Sequence, residues 1–306
     1  MSPIAGSRTY VLKEGEPFGE GVRRIATGRA EKALERLRGS AAGETATAAA
    51  IHGARKDMKK LRTLLRLLRG ELPKKVYRKE MGRYRDSARK LSQSRDAEVK
   101  LAALDALAEG AKGLPEEAVG TWRQILDSDR EAATGTVRSQ GEIAEAMELI
   151  EAGREGIERW QLQEDPWKAV GSAFTRVYRR GRQALHAAEA DPGDEENFHE
   201  WRKRAKDLRY GLELLSCAWS GPLEATAGEA NRLTELLGDH HDLAVLRDDL
   251  HQRRLGEEET RELEAAIEQR QEELATEAFD LGRRLYAERP KDFSRRLGRY
   301  WRVWRG

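Results

Sequence analysis

An all-α fold is what this sequence predicts, and three observations carry the prediction. Apolar residues recur at helical spacing through most of its 306 residues, Ala, Leu, Glu and Arg dominate, and alternating Val/Ile/Thr-rich runs bounded by turns are missing. With 39% hydrophobic and 36% charged residues and only eight prolines, the composition is that of a soluble, mostly helical protein with room for one large or two medium domains.

Punctuation by Gly, Pro, Ser and Asp sets the elements. The first five helices are expected at roughly 18–38, 46–69, 73–91, 95–109 and 115–160, the last broken near Gly135 or Gly141. A second series is expected at about 167–189, 195–218, 222–237, 241–253, 257–288 and 291–304. The single cysteine, Cys217, excludes an internal disulfide framework and a multi-thiolate zinc site, and its apolar neighbours suit a buried structural thiol. The N-terminal stretch lacks the basic-then-apolar pattern of a signal peptide, and no run approaches the roughly 18 apolar residues of a membrane span, so a cytoplasmic protein is expected.

The chain repeats itself. "HGARKDMKKLRTLL" at 52–65 and "HEWRKRAKDLRYGL" at 199–212 share seven identities at one offset of 147, a rare histidine among them. A weaker echo follows at an offset of 146, "LSQSRDAEV" (91–99) against "LGDHHDLAV" (237–245). A duplicated helical unit is therefore expected, with a leader at 1–17, a first half at 18–163 and a second at 164–306, the halves packed about a pseudo-twofold axis.

The repeat carries a particular geometry. At about 100° per residue, with His52 at zero, Arg55, Lys56, Lys59 and Arg62 fall between about −80° and +40°, and Arg66 and Arg69 extend that face. Leu61, Leu64, Leu65 and Leu68 lie opposite, and Asp57 falls outside the basic sector. Leu208, Leu212 and Leu215 oppose the cationic face of the second copy, which Glu213 joins at its end. A solvated face ordinarily mixes signs, because acid and base one turn apart support a helix and lone cations repel. These helices forgo that. Residues 51–100 hold 17 Lys and Arg against 6 Asp and Glu, while 101–170 hold 7 against 15, so the formal charge of +2 conceals strong segregation. Cations on every turn over about 15 Å suit an extended polyanion better than one compact phosphate, Arg giving forked donors and Lys a movable charge.

Other basic runs can join this face. They include Arg176, Arg179, Arg180 and Arg182, Arg23, Arg24 and Arg29, and Arg78, Arg83, Arg85 and Arg89, some of them paired with Glu80 and Asp86. Trp301 and Trp304 suit a final helix docked on the core better than base stacking. The run "GDHHDLAV" invites a metal reading, yet adjacent histidines point about 100° apart, and Ser94 and Arg95 stand at the matching positions of the first copy. Asp242 and its partner Asp96 are expected to cap helix N-termini. No phosphate-binding glycine loop, nucleophile elbow or zinc-protease histidine pair is present.

Together the H-x-x-R-K-x-x-K-x-x-R helices, "LGDHHDLAVL" and the closing "GRRLYAERPKDFSRRL" resemble the CHAD family, the conserved histidine α-helical domain, over about residues 15–304. The resemblance implies two pseudo-symmetric helical bundles around a basic central pocket or channel, binding of inorganic polyphosphate, and no catalytic activity in the domain. Its pocket carries over to His52, Arg55, Lys56, Lys59 and Arg62, to His199, Arg202, Lys203, Lys206 and Arg209, and by looser matching to Arg176, Arg179 and Arg180. Ser92 departs from the pattern where the second copy has Gly238. A leader this short has no room for the triphosphate-tunnel domain found in some relatives, so a stand-alone form is expected. No cofactor or metal is implied, and polyphosphate granules join the cytoplasm as a candidate location. Two other functions compete: a helical nucleic-acid-binding protein, and a metal-assisted phosphohydrolase acting on polyphosphate or nucleotides.

Overall fold

The leucine faces drive the architecture. Leu61, Leu64, Leu65, Leu68, Leu208, Leu212 and Leu215 are all at most 1% exposed, so each basic helix is pinned to the core by the side opposite its cations. The computed structural model describes residues 9–41, 48–91, 96–110, 114–135, 140–162, 167–253 and 257–306. Eleven α-helices and no strand occur among them. They are α1 (Phe18–Ala41), α2 (Ala48–Leu67), α3 (Lys74–Lys90), α4 (Asp96–Gly110), α5 (Glu116–Gly135), α6 (Gln140–Ile157), α7 (Trp167–Ala190), α8 (Glu195–Leu215), α9 (Ser220–Arg253), α10 (Glu257–Leu285) and α11 (Pro290–Arg305).

Helices α1, α2, α3 and α6 close one four-membered ring of contacts, and α7, α8, α9 and α10 close another. The rings meet where α2 packs on α8 and α7, α11 lies along α7, and the pair α4 and α5 crosses over to pack on α9 and α10. Two ion pairs tie α2 to α8: Lys60 Nζ to Glu213 at 2.7 Å and Arg66 Nη1 to Asp207 at 2.6 Å. The end of the leader crosses both helices, with Tyr10 and Leu12 buried, the Tyr10 hydroxyl donating to the Lys60 carbonyl at 3.1 Å, and the Lys60 ammonium 4.5 Å from the Tyr10 ring centre. Trp301 is buried between Phe18 and Trp167, so the final helix docks on the core as expected.

The break at Gly135 is observed, since α5 ends there and α6 begins at Gln140. One expectation is overturned. Residues 222–237 and 241–253 belong to a single 34-residue helix, α9, which runs straight through Gly238. A Cβ at that glycine would lie 2.9 Å from Nη2 of Arg202, so Gly238 admits the guanidinium of α8 instead of ending a helix. Asp242 is consequently inside α9 and caps nothing. α4 begins at Asp96, but the cap expected there falls, with residues 92–95 of the corresponding first-copy turn, outside what the structure describes. Cys217 is half-buried, and burial pushes its thiol up to about 11. Among the described residues no helix is long and apolar enough to cross a membrane.

Candidate anion-binding site

Where α2 and α8 meet, with α9 along one side, they enclose a cleft of about 580 Å³. Arg55, Lys59, Arg62 and Arg66 line it from α2, and His199, Arg202, Lys203, Arg204 and Lys206 from α8. His241, Asp242 and Val245 of α9 and Val99 of α4 close it. Eight Lys and Arg face three carboxylates, Glu200, Asp207 and Asp242, which leaves a clear cationic excess. The four α2 cations span eleven residues, or about 16 Å of helix axis.

The carboxylates hold part of this array in place. Buried Asp207 accepts from Thr63 Oγ1 at 3.1 Å, from Arg66 at 2.6 Å and from Arg204 at 3.1 Å. Arg204 also donates from Nε to Glu200 at 2.7 Å, and the Lys203 ammonium lies 3.3 Å from Glu196 and 3.6 Å from Glu200. The remainder is less compensated. Lys206 forms no hydrogen bond or ion pair with any described residue; burial, then the charges of Arg202 and Lys59, pushes its ammonium down to about 7. Arg62 is lowered by burial and by Arg66, and its Nε is buried with no hydrogen-bond acceptor among the described residues. The His199 and His241 rings meet edge to face at 5.0 Å. Burial lowers both, with Lys203 adding to the effect on His199 and Arg202 to that on His241.

Of the thirteen expected site residues, Arg55, Lys59, Arg62, His199, Arg202, Lys203 and Lys206 meet in the cleft. The other six lie outside its lining. His52 and Lys56 are exposed near the start of α2. Arg209 turns into a separate groove, where Nε donates to Glu213 at 2.8 Å and Nη1 to Asn231. On α7, Arg179 and Arg180 are exposed, whereas Arg176 is half-buried and lowered by burial and by Arg69. For Arg209 the cause is rotational. The cleft looks onto the sector of α2 centred near Arg55 and Arg66, but onto a sector of α8 turned about 90° toward Lys203 and Arg204. Arg204 thus enters the site, although its first-copy counterpart Asp57 is buried against Arg29 and Arg36. Arg204 and His241 are the contributors that helix-face reasoning passed over; reading the two copies as equivalent concealed the first. The adjacent histidines diverge as expected, for His240 is buried and stacked on Phe198 at 4.2 Å, and burial pushes it down to about 4.

Comparison with known proteins places this geometry. The sequence matches the CHAD domain family over residues 28–251. The chain belongs to the CHAD family. Two solved structures share the CHAD fold seen here. The crystal structure of the CHAD domain from the plant Ricinus communis has a TM-score of 0.60 at 18% identity, covering 92% of this chain and 95% of that one. PptA from Streptomyces chartreusis has a TM-score of 0.63 at 15% identity, covering 87% of this chain and 99% of its own. No curated protein matches the sequence. At these identities the structural likeness fixes the CHAD fold alone.

Proposed function

We propose that the cleft between α2 and α8 binds inorganic polyphosphate and does not turn it over. The observation that carries this reading is the concentration of eight Lys and Arg in one concave site, where Lys206 holds an uncompensated amine beside Arg202 and Lys59. Such a site takes its compensating charge from a ligand, and a linear chain of phosphates supplies about one negative charge per residue along a path on the scale of the α2 cations. A nucleic acid would bring bases needing stacking platforms or edge-reading amides. The aromatic ring at the cleft, Tyr210, is itself buried, and no Asn or Gln lines the wall.

The test is retention on immobilised long-chain polyphosphate at moderate salt. Joint charge reversal at Lys59, Arg62, Arg202 and Lys206 is expected to abolish retention, while Arg209→Glu, outside the cleft, leaves most of it. Unchanged retention in the quadruple variant would sink the assignment. Incubation with polyphosphate and magnesium or manganese is expected to release no phosphate; turnover lost on replacing His199 would overturn the non-catalytic part.

A further inference from the structure

Beside the basic cleft lies a second cavity of about 380 Å³ between α4, α9 and α10, and the two share Val99 and Asp242 in their walls. Its floor is apolar, with Ala103, Leu107, Leu243 and Leu274 all buried. Its rim is polar, carrying the carboxylates of Glu98 and Asp239 and the guanidinium of Arg270. A polyphosphate chain has no use for such a floor, and its rim carboxylates would repel phosphate. They accept N–H and O–H donors instead.

Read outward from Lys206 and Arg202, the wall therefore presents three chemistries in a fixed order. Cations come first, then one carboxylate at the junction, then an apolar slot with acceptors at its edge. That is the order of phosphate, ribose and base. Paired sugar hydroxyls donate to a carboxylate as they do in dinucleotide sites, a flat ring lies on aliphatic side chains, and ring amines donate to rim carboxylates. Asp239 and Asp242 are three residues apart in α9, about 4.5 Å along its axis, so both can serve one nucleoside. Asp239 of the "GDHHD" run lines this cavity and not the basic cleft, so polyphosphate binding alone leaves it without a role.

We infer that a purine nucleoside triphosphate is a second ligand of this protein, its phosphates in the basic cleft, its ribose on Asp242 and its base in the α4–α9–α10 cavity. The inference rests on the cleft being an anion site, and calorimetry with the intact chain separates the two claims. Inorganic tripolyphosphate, GTP and ATP are titrated without added metal. The tighter of the two nucleotides is expected to bind at least about tenfold better than tripolyphosphate, the surplus coming from the nucleoside. Ala102→Trp, from an exposed α4 position lining only the second cavity, should erase that surplus while tripolyphosphate affinity stays and reports an intact fold. Asp242→Asn should act in opposite directions, tightening tripolyphosphate by removing a nearby negative charge and weakening the nucleotide by removing the ribose acceptor. Tripolyphosphate binding with no nucleotide surplus, or a surplus indifferent to Ala102→Trp, overturns the nucleoside site and leaves the anion cleft standing. Failure of tripolyphosphate and nucleotides alike overturns both.

Discussion

Replacing Lys206 with methionine should stabilise the protein and weaken polyanion binding at once. The amine is crowded by Arg202, Lys59 and Arg209, with Asp242 opposing them, and burial drives it from an ordinary 10.5 to about 7. At about 1.36 kcal/mol per tenfold change, that corresponds to a ceiling of about 5 kcal/mol held against the charged form. Side-chain relaxation and partial solvent access reduce it, and a gain of about 1–3 kcal/mol is expected for Lys206→Met at pH 6. The sign with pH follows from proton counts. Below pH 7 the amine is charged in both folded and unfolded chains, and the full cost opposes folding. Between about 7 and 10.5 the unfolded chain binds more protons than the folded one, so wild-type stability rises through this window and the advantage of methionine shrinks to less than half by pH 9. Urea denaturation of both proteins at pH 6 and pH 9 reads this directly. Binding gives the mirror image, because a polyanion restores the ammonium: this one group should take up about half a proton at pH 7 and about nine-tenths at pH 8. Calorimetry in buffers of differing ionisation enthalpy measures the uptake, and Lys206→Met should lack that share. A methionine variant that is less stable at pH 6, or whose gain does not change with pH, would refute the reasoning.

Asp207→Asn removes the negative charge, and one of the two acceptor oxygens, shared by Thr63, Arg66 and Arg204, and should cost about 3–5 kcal/mol in chemical denaturation. Polyphosphate should recover more of that loss than it adds to wild type, and equal stabilisation would count against cation repulsion as the cause. Gly282→Ala places a Cβ 2.4 Å from the Trp201 ring and should cost about 1–3 kcal/mol with polyphosphate affinity per folded molecule unchanged. Because burial holds His199 and His241 below the ordinary 6.5, polyphosphate affinity should climb as pH falls from 7 to 5, and the double His→Gln variant should flatten the titration measured by fluorescence anisotropy.

The fold was legible because helix period and leucine placement decide it, and both are visible in one strand of text. The leucines opposite His52 and His199 are buried as the angles demand. What the letters concealed were choices between equally allowed local states. A glycine followed by aspartate signals a helix end, yet Gly238 lies inside α9, where its missing side chain leaves room for the guanidinium of Arg202, thirty-six residues earlier. The site was half legible for a related reason. Periodicity gives the direction of each side chain about its own axis but not the rotation of one helix against another. The roughly quarter-turn between α2 and α8 exchanges Arg209 for Arg204, and no pattern within either helix contains it.

The ion pairs between those helices explain why the cationic excess gathers on one side. The offset of 147 carries Lys60 onto Asp207 and Arg66 onto Glu213, so the pairs Lys60–Glu213 and Asp207–Arg66 exchange places with their charges reversed. Identical charges at both copies would have set cation against cation across this contact. The reversal makes both crossings attractive and leaves them chemically unequal. On one side Glu213 quenches Lys60 and Arg209, under the buried Tyr10 of the leader. On the other Asp207 holds Arg66 and shares Arg204 with Glu200, while Arg55, Lys59, Arg62, Arg202 and Lys206 bring further positive charge to the same cleft. A two-sided helix contact is thereby converted into a one-sided site. Reversing the Lys60–Glu213 pair as the double variant Lys60→Glu, Glu213→Lys should keep the attraction and leave polyphosphate retention near wild type. Reversing Arg66–Asp207 in the same way should remove the anchor beneath Arg204 and weaken retention well before it unfolds the protein.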